Sequence, residues 1–267
     1  MQTPSFWDKS GKSIKNAQEL PWNFPEQKQG VLSIIGGNSG SFSTEIRIAE
    51  HLQKSFPFIK SIKNLFPDSL KKQLPSLENL EFFESTESGS FKRSLDFRNS
   101  LSGSNFALFL GDFSKNSETA LAVADVIKSS PETPILLTRD TIDLIQNEAE
   151  SFISRENLTI VASMVQLQNL FRALYYPKVL LLSQPLLPVL ETLHKFTLSF
   201  PVSILTFHEE NIVCANSGKI VTIPISETNF SPIGLWSGEL ASNISVFRMI
   251  NPNLPLESLL AGVLTSK

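Results

Sequence analysis

Two stretches of this 267-residue chain carry small residues and carboxylates placed for chemistry. The first is Gly36, Gly37, Asn38, Ser39, Gly40 and Ser41, which follows the apolar run at 31–35 and precedes Ile46, Ile48, Ala49 and Leu52, apolar positions that share one helical face. A strand that enters a helix through such residues leaves unpaired backbone N–H groups at the helix start, a seat for phosphate or carboxylate. No Gly-Lys-Ser/Thr ending follows, and no acidic residue closes a second strand at the dinucleotide spacing. An anion cradle and a plain tight turn therefore both stay open. The second stretch is Trp236-Ser237-Gly238-Glu239, before a long C-terminal helical pattern; a glutamate there is favoured by the helix dipole with or without a chemical duty. Asp140 and Asp143 stand at another helix start, where capping or a solvated face explains them.

Metal chemistry through sulfur or imidazole finds no support. Cys214 is the single cysteine, and His51, His194 and His208 show no ligand-like spacing. Cys214 lies in an apolar run and reads as an inert core thiol; His194 and His208 read as surface or partly packed.

The elements that must position these residues alternate. Residues 31–35 predict a buried strand that ends at Gly36-Gly37, with Ser43 or Thr44 capping the helix that follows. Residues 57–65 predict a second strand, 67–83 mix helix and turn signals, and 84–105, rich in Ser, Gly and charge, predict a long surface excursion with Lys92 and Arg93 solvated. FALFL at 106–110 is a buried strand closed by Gly111-Asp112, followed by a helix over 117–127 with Ser117 as cap. Strand and helix repeat at 134–137 with 141–147 and at 158–162 with 164–174. Residues 175–183 fit a strand or a helix start, and 186–200 a helix. Three β-branched runs at 202–207, 212–215 and 220–225 read as hairpin strands, and helices over 235–250 and 256–264 close the chain. Such alternation predicts a mainly parallel sheet, helices on both faces, an antiparallel hairpin edge, and ligands beyond the carboxyl ends of the strands.

With 41% hydrophobic and 18% charged residues, 29–267 suffices for one α/β domain. Residues 1–28 are polar and broken by Pro4, Pro21 and Pro25, an arm whose Trp7 and Trp22 pack on the parent domain or on a neighbouring subunit; a homo-oligomer is left open. Twenty-three basic against 26 acidic residues leave no footprint for nucleic acid. No apolar run is long enough to cross a bilayer and no secretory core opens the chain, so a cytoplasmic location without a membrane partner is expected.

The order of these elements and turns resembles the ribokinase-like superfamily, and within it the NAD(P)H-hydrate dehydratases, nucleotide-dependent repair enzymes for damaged NADH and NADPH. The resemblance spans residues 30–267. Gly36-Gly37 matches the glycine pair after the family's first strand. Gly111 matches the first glycine of its Gly-Pro-Gly turn, with Asp112 and Phe113 in place of the proline and the second glycine. Asp140 keeps the second acid of the Asp-Ala-Asp turn, whereas Thr138 replaces the first; Ser163-Met164 stands where the family has Pro-His, and Leu167 where it has Glu. Trp236-Ser237-Gly238-Glu239 occupies the place of Gly-Thr-Gly-Asp, whose backbone N–H groups form an anion hole beside an acid–base aspartate.

The resemblance thus implies Glu239 as the acid–base group, Ser237, Gly238, Gly111 and Asp140 at the nucleotide, and Gly37, Asn38, Ser39, Gly40 and Ser41 at the hydrated nicotinamide. It implies ATP or ADP as cofactor, with Mg²⁺ where a triphosphate is bound. Glu239 is one methylene longer than the family's aspartate, and a misplacement of about 1 Å costs on the order of 100-fold in rate. Trp236 adds bulk where a glycine lets phosphate approach. A non-catalytic relative that binds a nucleotide or a protein is the alternative, and a generic flavodoxin-like doubly wound domain the third reading.

Overall fold

Phe106, Leu108 and Leu110 pack against one helical layer and Ala107 and Phe109 against the other, all fully buried, as in a strand covered on both faces. The computed structural model describes residues 4–8, 11–74, 79–228 and 234–266. Its strands are β1 (Trp7–Asp8), β2 (Gln29–Gly36), β3 (Ile59–Pro67), β4 (Leu80–Phe83), β5 (Phe106–Gly111), β6 (Ile135–Thr138), β7 (Leu158–Val161), β8 (Ser203–His208), β9 (Asn211–Asn216) and β10 (Lys219–Pro224). The helices are α1 (Lys12–Glu19), α2 (Ser43–Ser55), α3 (Leu95–Arg98), α4 (Ser117–Ser129), α5 (Asp140–Ile145), α6 (Met164–Ala173), α7 (Leu186–Ser199), α8 (Gly234–Ser237), α9 (Glu239–Ile250) and α10 (Pro255–Thr265).

One sheet holds every strand in the order β1-β10-β9-β8-β7-β6-β5-β2-β3-β4. Strands β2 to β8 run parallel, β9 is antiparallel to both neighbours, and β1 lies parallel along β10. Apolar residues of α4, α5, α6 and α7 cover one face, and those of α1, α2, α9 and α10 the other. The expected class holds: a mainly parallel α/β sheet with helices on both faces and an antiparallel hairpin at one side.

Several local expectations are corrected. Despite its prolines, the N-terminal stretch forms β1 and α1. Trp7 pairs in register with Ile220 and donates its indole N–H to Thr222 Oγ1 at 3.0 Å, whereas Trp22 is 87% exposed. Residues 1–3 and 9–10 of that stretch, and 75–78 of the mixed segment, lie outside the described residues. Ser43 opens α2 after Phe42 rather than capping it, and Asn116, not Ser117, caps α4 by accepting from the Thr119 N–H at 2.7 Å. The 84–105 excursion is tied down: Phe91, Phe97 and Leu101 are buried, with Phe91 stacked on Phe97 at 4.3 Å. Lys92 and Arg93 are exposed, as expected, and pair with Glu84 at 3.6 Å and with Asp125. Residues 175–183 form neither strand nor helix, and the C-terminal helical pattern breaks at Gly238, at φ +80°.

Candidate functional site

Parallel strands deliver their carboxyl ends to one rim, and Gly36 of β2 and Gly111 of β5 meet there as register partners across a local shift. The Gly37 N–H donates to the Gly111 carbonyl at 2.9 Å. Gly238 lies over the same rim: a Cβ there would sit 2.7 Å from Leu110 Cδ1 and 3.5 Å from Ile48 Cγ1 of α2. Gly36, Gly111 and Gly238, remote in sequence, therefore gather at one edge of the sheet, joined by the amino ends of α2, α5 and α9.

Each glycine has an immediate neighbour from the chain itself. A Cβ at Gly36 would overlap Glu45 Oε1 and sit 2.6 Å from the Gly111 carbonyl oxygen. One at Gly111, at φ +104°, would overlap Asp140 Oδ1. Glycine is required at these points for close packing of the protein on itself.

Charge at the rim is organised around Asp112 and Arg139, both non-glycine residues at positive φ (+57° and +54°). Arg139 donates to both Asp112 carboxylate oxygens, at 2.9 and 3.1 Å, and to the Leu110 carbonyl at 3.2 Å. The Asp112 N–H donates to Asp140 Oδ1 at 2.8 Å. Gln166 of α6 donates to the Arg139 carbonyl at 2.7 Å and to Asp143 Oδ2 at 2.9 Å, so Asp143 braces a turn instead of facing solvent freely. Burial pushes the Asp140 carboxyl above its ordinary range, against the pull of the Asp112 N–H. Positive φ at two paired, charged side chains is local strain of the kind found at ligand-binding rims.

The first-turn loop is braced as well. Asn38 and Ser41 form an isolated antiparallel bridge, and Asn38 donates to the Asp112 carbonyl and accepts from the Gly40 N–H at 2.8 Å. The Ser39 N–H donates to the Gly89 carbonyl at 2.9 Å, bringing the 84–91 segment down over it. At the other candidate, the Ser237 hydroxyl donates to the Gly234 carbonyl at 2.7 Å and accepts from the Glu239 N–H at 3.2 Å, while Arg47 of α2 donates to the Ser237 carbonyl. Glu239 is the first residue of α9 and half-buried, and Trp236 is 48% exposed. Residues 229–233, which precede this turn, are not described.

Sequence reasoning missed two residues here, Glu45 and Arg139. Glu45 lies in the first turn of α2, fully buried, with neither carboxyl oxygen hydrogen-bonded. Its pKa is raised well above the usual carboxylate range by burial and then by the charge of Asp112. The signal was present: Glu45, Ile48, Ala49 and Leu52 follow the i, i+3, i+4, i+7 spacing of a core stripe, so the acid occupies a core position. For Arg139, sequence gives only its place beside Asp140.

Other ionisable groups serve packing. His194 stacks on Phe6 at 4.3 Å, His208 is buried with Nε2 at 2.7 Å from the Gln184 carbonyl, and His51 Nε2 lies 2.8 Å from Asn243 Oδ1. Cys214 is fully buried and its thiol pKa is pushed up. Among the described residues no group of three or more His, Cys, Asp or Glu is placed to hold a metal, and no helix is long and apolar enough to cross a membrane. A cleft of about 670 Å³ lies between α1, β1 and the start of α10, and one of about 470 Å³ between α4 and α5; neither touches the three rim glycines.

No protein-family model matches the sequence, and no curated protein does. Solved structures are similar in fold. A hypothetical protein of Streptococcus mutans is 13% identical with a TM-score of 0.66, over 95% of this chain and 87% of its own. A ribokinase-like superfamily protein of Enterococcus faecalis is 11% identical with a TM-score of 0.65, over 99% and 88%. A Bacillus subtilis pyridoxal kinase, solved as an ADP complex, is 10% identical with a TM-score of 0.51, over 88% and 89%. The fold is ribokinase-like.

Proposed function

We propose that this chain is a divergent nucleotide-binding protein of the ribokinase-like fold, with its ligand at the rim where Gly36, Gly111 and Gly238 converge. That convergence carries the reading, since ligands of open α/β sheets bind beyond the carboxyl ends of the strands. In this reading the phosphates of ATP or ADP lie at Ser237-Gly238, where twelve-residue α9 begins and Arg47 brings a guanidinium to the Ser237 carbonyl. Gly111 and Asp140 line the nucleotide side, and Gly37, Asn38, Ser39, Gly40 and Ser41 the substrate side. An amide-rich helix start beside an arginine fits a polyphosphate, and Glu239 offers a carboxylate for phosphate-bound Mg²⁺.

The finer reading is repair of hydrated NADH or NADPH, in the manner of the dehydratases that the motifs resemble, with Glu239 moving the proton. A second reading, a non-catalytic relative, is favoured by a specific observation. Leu110 lies under Gly238, Glu45 over Gly36 and Asp140 over Gly111, so the chain's own side chains take the close approaches that the glycines would offer a ligand.

Thermal shift and Trp236 fluorescence test both. ATP or ADP should raise the melting temperature as ligand concentration exceeds Kd, and quench tryptophan emission by an amount that Trp236→Phe, which keeps Trp7 and Trp22, no longer shows. Flat responses to ATP, ADP and NADH overturn nucleotide binding. Given binding, turnover of hydrated NADH by wild type but not by Glu239→Gln establishes the lyase, and silence of both establishes the binding protein.

A further inference from the structure

A fully buried carboxyl group needs hydrogen-bond donors if it is ionised and an acceptor if it is neutral. Glu45 is 0% exposed, and no donor among the described residues reaches either of its oxygens; its own backbone amide, which pulls its pKa down, falls short of hydrogen-bond geometry. An acceptor is at hand. Oε1 overlaps the point a Gly36 Cβ would occupy, and the Gly111 carbonyl oxygen lies 2.6 Å from that same point. That carbonyl accepts the Gly37 N–H, and a carbonyl oxygen carries a second lone pair.

We propose that Glu45 is a proton-held latch on the rim: as the neutral acid it donates its O–H to the Gly111 carbonyl and pins the first turn of α2 across the β2–β5 step. When the proton passes to bulk water, the bond is lost and the carboxylate is left among acceptors. The α2 turn then swings out and frees the loop of Asn38, Ser39, Gly40 and Ser41. The charged groups acting on Glu45 support the neutral form. Asp112 beyond β5 and Asp140 at the start of α5 oppose its ionisation, and the favourable charge of Arg139 is committed to Asp112 in two hydrogen bonds. On its own helix Arg47 is turned to the Ser237 carbonyl, and Glu239 opens α9 behind that turn. The loop is set to respond, because it begins at Gly37, whose N–H shares the same carbonyl, and Asn38 is bonded to Asp112. This inference does not depend on which ligand the rim binds.

The test is amide hydrogen exchange of residues 37–46 between pH 5 and 9, corrected for intrinsic rates, in wild type and Glu45→Gln. The glutamine amide donates to the same carbonyl at every pH. Free glutamate ionises near pH ~4.3, so wild-type protection in this segment should fall about tenfold per pH unit until Glu45 ionises in place, while Glu45→Gln stays level. Asp112 and Asp140 are common to both proteins and cancel in the comparison. Parallel profiles overturn the latch. If Glu45→Gln does not fold, the side-chain carboxyl ¹³C shift of wild-type Glu45 decides. An acid-form shift held through neutral pH supports the proposal, and titration in the ordinary glutamate range overturns it.

Discussion

Replacing Arg139 by alanine removes three hydrogen bonds, two to the Asp112 carboxylate at 2.9 and 3.1 Å and one to the Leu110 carbonyl at 3.2 Å. The paired side chains are 12% and 14% exposed, so the aspartate is left nearly buried and without its counter-charge. Breaking a fully buried pair from one side costs about 3–5 kcal/mol, and the slight exposure here lets water in, which places Arg139→Ala near ~3 kcal/mol. Spread over 267 residues, with an unfolding entropy of about 2 cal/mol/K per residue, that lowers Tm by roughly 5 °C. Backbone conformation adds a second, opposite expectation. Arg139 sits at φ +54°, ψ −142°, where glycine is at ease and alanine is not. Arg139→Gly should therefore be less damaging than Arg139→Ala by about 1 kcal/mol, the reverse of the usual order. Urea denaturation followed by circular dichroism measures both, and a double-mutant cycle with Asp112→Ala isolates the pair. A cost below ~1 kcal/mol for Arg139→Ala, or a cycle coupling under ~0.5 kcal/mol, refutes the view that this ion pair organises the rim.

Other outcomes follow from the same geometry. Gly111→Ala drives a methyl into Asp140 Oδ1 at φ +104° and should destabilise by at least ~2 kcal/mol, whereas Gly40→Ala, whose nearest neighbour is Asn38 Oδ1 at 3.4 Å, should change the urea midpoint little. Asp140 keeps its proton to higher pH folded than unfolded, so its contribution to stability is complete below the unfolded value near pH ~4 and is lost as pH rises through the folded one. Asp140→Asn should therefore flatten the fall of the urea midpoint over that window, and an unchanged slope counts against it. Arg155 donates to the carbonyls of Ile127, Ser130, Pro131 and Thr133 and to Asn157, so Arg155→Ala should cost about 2–3 kcal/mol and raise hydrogen exchange in the loop before β6. Cys214, buried in β9 between β8 and β10, should react with a thiol reagent only at the rate of global unfolding; fast labelling of the native protein contradicts that burial.

Why the sequence conveyed so much of the fold and less of the site is visible in particular residues. FALFL is apolar along its whole length, and the 31–35 run is apolar but for the buried Ser33, because both sheet faces are covered, so both strands were plain. In the 84–105 segment the core is made by only Phe91, Phe97 and Leu101, scattered among Ser, Gly and charge, and nothing local reveals that two of those rings stack. The α4 cap moved by one residue because Asn116 and Ser117 offer nearly the same chemistry. At the rim, the glycines were legible as turns, yet the side chains that fill the space beside them come from other strands and helices: Glu45 over Gly36, Asp140 over Gly111, Leu110 under Gly238. Arg139's choice of Asp112 is a fact of register between β5 and β6. Glu45 was hidden by its own type, since an acid in a first helical turn already has an ordinary explanation.

Strand β1, only Trp7–Asp8, lies outside the hairpin and occupies part of the hydrogen-bonding edge of β10. An uncovered β10 would offer Ile220 and Val221 backbone groups to any extended peptide, including another molecule's equivalent strand. Two residues at the sheet margin thus act as a guard against fibre-like self-association. Tags or truncations that disturb Trp7 should be judged first by light scattering, ahead of any assay of ligand binding.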